Sequence, residues 1–249
     1  METFLDIKTK DGVCDSFIVY PDDQKPHPAV IMIMDGFGPR AHLYQMARTI
    51  SSKGFYVLLP NMFYRVRRAP IIEMKLPLRP EDMPELFKNK LMPLLQGYDP
   101  ESGLSDIAVF FDFLSQQPQV LPGKIRFTGY CFGGAMSIRA AARYPEKINA
   151  VGSFHAGNLA TDAANSPHLQ VDQIKAELYI AHADNDQSMP PEQMERLKIA
   201  LDQSGVKYEA ELYSGSAHGF TMADLPAYNE AAFNRHWKKL FDLLERSLC

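Results

Sequence analysis

The apolar positions of this chain fall into two alternating rhythms. Ala29 to Met34 is an unbroken apolar run of the kind buried on both faces in a parallel sheet. Phe55 to Leu59, closed by Pro60, reads the same way. Lys124 to Thr128, Ala150 to Phe154, Glu177 to Ala181 and Lys207 to Tyr213 read as further strands, and Ser16 to Tyr20 as an edge strand. Between them the spacing changes to that of helices. Leu43 to Ser52 is followed by Gly54, where a helix should stop. Leu104 to Gln116 places Ile107, Phe110, Phe111 and Leu114 on one face, and Met194 to Ser204 and Ala227 to Leu248 are helical as well. Repeated strand–helix alternation predicts a mostly parallel, doubly wound α/β sheet flanked by helices and joined by right-handed crossovers. No internal repeat or linker divides residues 1–249, so one domain is expected.

One stretch breaks the rhythm. Between Pro60 and Pro100 stand seven prolines, too many for one long helix or a central strand. The stretch carries Arg65, Arg67, Arg68 and Arg79 with Phe63, Tyr64 and Phe87. It leaves from the carboxyl end of a strand, where ligands bind in open α/β sheets. Residues 60–100 are therefore expected either to cover a site as a lid or to form a surface excursion that wraps a neighbouring element or makes an oligomer contact.

The chemistry is concentrated further on. Ile125 to Thr128 runs into Gly129-Tyr130-Cys131-Phe132-Gly133-Gly134, and an Ala-rich helical pattern follows at once. This is the strand-turn-helix setting of a nucleophile elbow, with cysteine where serine usually stands. The neighbours two residues away must be small for so tight a turn to close. The helix start then faces the sulfur and favours thiolate.

Composition narrows the setting. The chain has 249 residues and a formal charge of −4, which argues against nucleic acid or an anionic membrane as partner. Its three cysteines, Cys14, Cys131 and Cys249, are too sparse for a disulfide framework and lack metal-ligand spacing. The first residues lack the basic start and apolar run of a signal peptide, and no apolar run reaches the ~20 residues of a membrane span. A reducing, cytoplasmic location is expected, with no cofactor and no metal. The pattern carries no signal for or against an oligomer.

A nucleophilic thiol needs a base, and the base an orienting acid. Two loops after predicted strands offer them on the same sheet edge as Cys131. Ser214-Gly215-Ser216-Ala217-His218-Gly219-Phe220 supplies His218, flanked by small residues. His182-Ala183-Asp184-Asn185-Asp186 supplies Asp184 or Asp186, and spacing alone does not choose between them.

With these residues placed, the chain resembles the dienelactone hydrolase family, cysteine-based members of the α/β-hydrolase fold. The carrying motifs are the Cys131 elbow, Asp186-Gln187-Ser188-Met189-Pro190 and Ala217-His218-Gly219-Phe220. Asp35-Gly36-Phe37-Gly38 and Pro60-Asn61-Met62-Phe63-Tyr64-Arg65 add weaker matches. The family's acid stands four residues before a proline, which selects Asp186. The resemblance implies a Cys131–His218–Asp186 triad acting on the ester or lactone bond of a small molecule through an acyl-thioester. It implies an oxyanion hole from the backbone N–H groups of Phe132 and Gly36. Asp35, Phe37, Arg65, Tyr130, His155 and Phe220 are expected to touch substrate or support the residues that do.

Two departures stand out. The best-known members have Glu at the position of Asp35, contacting the resting thiol. They also have Arg four residues beyond the histidine, reading a substrate carboxylate, where this chain has Met222. The Arg65, Arg67, Arg68 and Arg79 set is the candidate replacement cation. Alternative readings are a thioesterase or arylesterase of the same fold, a non-catalytic ligand receptor, and a redox sensor built on Cys131 with Cys14 or Cys249 as its resolving thiol.

Overall fold

The computed structural model describes residues 1–248; Cys249, one of the two cysteines weighed as a resolving thiol, lies outside them. The apolar runs become the strands β1 (Glu2–Lys8), β2 (Val13–Val19), β3 (Ala29–Ile33), β4 (Tyr56–Pro60), β5 (Ile125–Tyr130), β6 (Ile148–Phe154), β7 (Glu177–Asn185) and β8 (Tyr208–Ala217). They form one sheet in the order β1-β2-β4-β3-β5-β6-β7-β8. β1 and β2, and β2 and β4, pair antiparallel; the remaining neighbours are parallel. Every residue of β3, β4 and β5 is buried, which explains their continuous apolar character. Burying one such large apolar side chain contributes about 1.5–3 kcal/mol.

The segment expected as an edge strand is not one. β2 lies between β1 and β4, and the edge belongs to β1, whose Phe4 is left exposed. β1 is mostly exposed, with only Ile7 buried and polar residues at Glu2, Thr3, Asp6 and Lys8, so it lacks the unbroken apolar run that marks the central strands.

The helices are α1 (Ala41–Ser51), α2 (Met83–Leu86), α3 (Met92–Gln96), α4 (Pro100–Ser115), α5 (Phe132–Arg143), α6 (Pro191–Ser204) and α7 (Glu230–Arg246). α5 packs on β3, β5 and β6, with α4 against α5 and its Phe111 reaching Phe127 of β5, while α7 packs on β6 and β7. Lys53, just beyond α1, lies over the Phe241 ring of α7, so those two helices share a face of the sheet. α4 begins earlier than its apolar spacing suggests. Pro100 is tolerated in a first turn, and the Asp99 carboxylate caps the N–H groups of Glu101 and Ser102. No helix among the described residues is long and apolar enough to cross a membrane.

The proline-rich stretch also differs from expectation. Residues 80–96 are helical throughout, but in four short pieces: a 3-10 turn Pro80–Asp82, α2, a π-helical turn Phe87–Leu91, and α3. Pro84 and Pro93 each sit in the first turn of a piece, where a missing N–H costs nothing. The prolines thus forbid one regular helix yet permit a relay of helical turns. Ile71, Ile72, Leu78 and Leu91 from this stretch are buried against the body.

The order of the strands fixes where chemistry can occur. After β3 the chain moves to β4 on one side and later returns to β5 on the other. This is a topological switch point, and ligands bind outside the carboxyl ends of strands at such a point. Register then brings the strand ends together. Ile33 pairs with Gly129, Tyr130 with Phe154, Phe154 with Ala181, and Asn185 with Ala217. The residues just beyond those pairs are the Asp35 loop, Cys131, His155, Asp186 and His218.

Candidate active site

Cys131 occupies the turn between β5 and α5 with φ 54° and ψ −117°, a conformation costly for a residue bearing a side chain. The surroundings impose it. The Cys131 N–H donates to the Phe154 carbonyl at 3.0 Å, and α5 starts at the next residue. A Cβ on Gly129 would press into the Gly133 carbonyl, and one on Gly133 into the carbonyl oxygens of Ile33 and Met34. Both positions must be glycine for the start of α5 to lie on the ends of β5 and β3.

His218 follows β8 directly, and its Nδ1 lies 2.6 Å from Oδ2 of Asp186. The other carboxylate oxygen, Oδ1, accepts the Ser188 N–H at 2.9 Å and the Ser188 hydroxyl at 2.5 Å. The acid is thus held from both sides, and its side chain is 2% exposed. Burial works to raise the Asp186 carboxyl, but His218 and then Ser188 outweigh it and hold it below the usual range. Burial likewise works against charge on His218. The neighbouring Cys131 and the Asp186 hydrogen bond outweigh it, and the imidazole is held well above its ordinary value. The other candidate acid, Asp184, is exposed and accepts the Gly215 N–H at 3.0 Å, a contact that shapes the end of β8.

The oxyanion loop folds on its own carboxylate. Asp35 accepts the Phe37 N–H at 2.9 Å through its side chain and the Gly38 N–H at 3.1 Å through its carbonyl. The N–H groups of Gly36 and Phe132 have no acceptor among the described residues. Gly36 is covered by the proline-rich stretch: a Cβ there would stand 2.6 Å from Leu91 Cδ1 and 3.4 Å from Leu95 Cδ2. The Phe132 ring packs against Phe63 at 5.1 Å and Tyr98 at 4.6 Å between centroids. Apolar groups from residues 60–98 therefore lie over both backbone positions.

The remaining expected residues divide. His155 is fully buried with a positive φ of 41°, and its ring meets His218 edge-on at 5.4 Å. Its Nε2 is 2.7 Å from the Thr221 hydroxyl. Phe220 packs edge-on against His155 at 4.9 Å. Tyr130 is committed elsewhere: its hydroxyl pairs with Nε2 of His236 in α7 at 3.0 Å, inside the core. Asp35 is not free to face a thiol, because Arg40 grips both its oxygens at 2.7 and 2.9 Å; Phe37 lies beneath the same guanidinium. Arg65 is bound to Asp106 at 2.6 and 3.0 Å and to Asp11 at 2.6 and 3.1 Å. Arg67 pairs with Glu73, Arg68 with Asp6, and Arg79 with Glu81 and Asp82. None of the four arginines presents an unpaired guanidinium, which removes the support for a replacement cation. Cys14 is buried, and burial pushes its thiol up to about 12, against a role as a resolving thiolate.

Sequence reasoning missed Ser188, Arg40, Asp224 and Thr221. Ser188 carried a signal, since Asp-x-Ser is the pattern of an Asx turn. The others become neighbours only through the fold.

The buried histidines give the stability a pH dependence. His155 is held well below its ordinary range by burial and then by the nearby charge of His218. Burial depresses His182 to about 4 and His236 to about 3. Below pH ~6.5 the unfolded chain takes up protons that these rings refuse. Each therefore removes up to about 1.4 kcal/mol of stability per pH unit until its folded value is reached. His218 has the opposite shift, so its contribution is complete below ~6.5 and is lost as pH rises through its folded value. Urea unfolding should show stability falling steeply between pH 6.5 and 5. An equal midpoint at both would refute the neutral assignment of the buried rings.

Known proteins share this architecture. A protein of Synechocystis sp. named "Putative carboxymethylenebutenolidase" is 27% identical over 228 residues, 89% of this chain and 87% of that one. A Klebsiella pneumoniae structure named "Putative Dienelactone Hydrolase" superposes with a TM-score of 0.84 at 19% identity, covering 98% of this chain and 97% of that one. A dienelactone hydrolase-like promiscuous phosphotriesterase from metagenomic libraries gives a TM-score of 0.79 at 22% identity, with 98% of each chain covered. These likenesses show the α/β-hydrolase fold. The family model described as "Dienelactone hydrolase family" matches residues 14–248, from within β2 to beyond the end of α7, and the chain belongs to that family.

Proposed function

We propose that the protein hydrolyses ester or lactone bonds of small molecules through Cys131, His218 and Asp186, with an acyl-thioester intermediate. The observation that carries this reading is the imidazole of His218, fixed through Nδ1 by the Asp186 carboxylate at 2.6 Å and partnered on its other side by Cys131. In this reading the Cys131 thiolate attacks the carbonyl carbon, and the π electrons move onto the carbonyl oxygen. The N–H groups of Phe132 and Gly36 receive that oxyanion. Collapse forms the thioester and expels the alkoxide or enolate oxygen, which takes its proton from His218. The neutral imidazole then removes a proton from water. The resulting hydroxide attacks the thioester, the thiolate leaves, and the acid is released. An oxyanion donor of this kind is worth ~10²–10³ in rate. Residues 60–98, which lay Leu91 and Leu95 over Gly36, act as the lid that keeps water from the acyl-enzyme.

The test is direct. Short incubation with p-nitrophenyl esters, lactones and thioesters, followed by acid quenching and peptide mass mapping, should place the acyl group on Cys131. Turnover with the acyl group never found on Cys131 would reject the mechanism, and the best of the three substrates sets the leaving-group class.

Substrate charge follows from the same contacts. Met222 is buried at the position where an arginine would read a carboxylate, and the arginines of the 60–100 stretch are paired with acids. Neutral esters and lactones should be turned over at least as well as carboxylate-bearing isosteres. Arg79→Ala and Arg67→Ala should leave KM for both unchanged. Loss of a cation that reads the anion would instead cost the anionic substrate about 2–5 kcal/mol selectively.

A further inference from the structure

Arg40 precedes α1 and is 7% exposed, and all five of its N–H groups are used. Nη1 and Nη2 hold the two oxygens of Asp35 at 2.7 and 2.9 Å. Nε and Nη2 hold the two oxygens of Asp224 at 2.6 and 3.1 Å. The remaining donor, on Nη1, reaches the Gly38 carbonyl at 3.2 Å. One planar group thus grips two carboxylates that belong to different walls of the site, a geometry available to guanidinium and not to ammonium.

The two carboxylates are not interchangeable in position. Asp35 forms the turn that contains Gly36. Asp224 lies in a string of turns that starts beside His218: Phe220 N–H to Ala217, Met222 N–H to Gly219 and Leu225 N–H to Met222, at 2.9–3.1 Å. The Asp224 carbonyl also accepts the Leu78 N–H at 3.0 Å, which fastens the stretch over the site to the same point. Three chain segments surrounding Cys131 therefore meet at Arg40 and Asp224.

We propose that Arg40 is a positioning residue that holds the Gly36 oxyanion donor in register with His218 by clamping Asp35 to Asp224. The inference rests on the hydrolase reading above. It assigns Asp35 a task other than contact with the resting thiol: both its oxygens are occupied, and its carboxylate serves the clamp. Attack at a carbonyl needs the oxyanion donor and the base at a fixed separation. Alkylation of the thiolate at a saturated carbon needs no oxyanion donor. A displaced donor should therefore slow the first and spare the second, and an error near 1 Å is enough to lose ~10²-fold.

The experiment uses Asp224→Asn, which keeps the shape of the side chain and leaves the Arg40–Asp35 pair in place, together with Arg40→Lys. The burst of p-nitrophenol from a p-nitrophenyl ester reads acylation, and iodoacetamide reads the Cys131 thiolate in the same preparations. For Asp224→Asn, acylation should fall ~10²-fold with KM within about twofold and the alkylation rate unchanged. Arg40→Lys, which cannot grip both carboxylates bidentately, should lose acylation in the same selective way. Unchanged acylation in Asp224→Asn overturns the clamp. So does an equal fall in acylation and alkylation, the mark of general unfolding. A wild-type protein that gives no burst and no acyl-Cys131 overturns the hydrolase reading, and the positioning role with it. An acylated wild type with an unaffected Asp224→Asn overturns the positioning role alone.

Discussion

Cys131→Ala should abolish hydrolysis of every substrate the wild-type protein turns over, down to the rate of a site that only binds. Removing the nucleophile of a comparable triad costs on the order of 10⁶ in kcat, with a residue of ~10³–10⁴ over water left by the oxyanion hole and binding. The physical basis is the turn at φ 54° that places the sulfur at the start of α5. The fold should survive, because the glycines and the β3, β5 and β6 strand ends that build the turn are untouched. Cys131→Ser should be nearly as poor, since a hydroxyl does not ionise beside His218 as a thiol does. Iodoacetamide supplies the chemical counterpart, and loss of activity should track alkylation of Cys131 mole for mole. Activity that persists after complete, mass-verified alkylation would remove Cys131 from the mechanism. The same variant reports on His218. With the Cys131 sulfur gone, its imidazole should titrate at lower pH than in the wild type, which nitrogen-15 NMR of the ring can follow.

How much of this was legible in the sequence depends on range. Buried parallel strands announce themselves through apolar runs, so β3 to β7 were readable in place, and β8, the opposite edge, was readable from its alternation of Glu with apolar residues. β1 was not, because it is a mostly exposed edge strand with few apolar residues and looks like ordinary surface chain. The relay of helical turns at residues 80–96 was hidden by a rule that is right for regular helices only. Proline forbids the middle of a helix, while each proline here begins a new piece. The gathering of Cys131, Asp186 and His218 was legible because each comes directly after a strand, and parallel strands deliver the residues beyond their carboxyl ends to one edge. Asp186 needed the family's spacing to prefer it over Asp184, which lies two residues earlier, inside the end of β7. The partners of Arg65 and Asp35 were beyond reading. Arg65 meets Asp11 and Asp106, and Arg40 meets Asp224 across a separation of 184 residues. Nothing local signals such pairs, so an arginine that looks free in sequence is spent in the fold. Tyr130 shows the same limit in reverse. It adjoins the nucleophile in sequence, but strand alternation sends its side chain into the core, to His236.

Asp186→Asn should lower kcat by about 10⁴ while leaving the fold and KM nearly unchanged, as loss of the orienting acid does in a comparable triad. Both carboxylate oxygens have a task. Oδ2 accepts from Nδ1 of His218 at 2.6 Å, which fixes the proton on Nδ1 and leaves Nε2 to serve the reaction. Oδ1 is held by the N–H and hydroxyl of Ser188, so the carboxylate has one orientation. An amide at this position has one oxygen. If Ser188 keeps it, the amide NH₂ faces Nδ1 and selects the wrong tautomer; if His218 takes it, Ser188 loses its acceptor. In either case the negative charge that holds the imidazolium is gone, and the His218 titration should move down. Ser188→Ala should act in the same direction and far more weakly, because it loosens the carboxylate without discharging it. Asp184→Asn should have little effect on kcat, since Asp184 is exposed and contacts only the Gly215 N–H. Steady-state kinetics with one neutral ester across the three variants decides the matter. A large loss in Asp184→Asn with Asp186→Asn near wild type would transfer the role of the acid to Asp184, against the 2.6 Å contact on which the assignment rests.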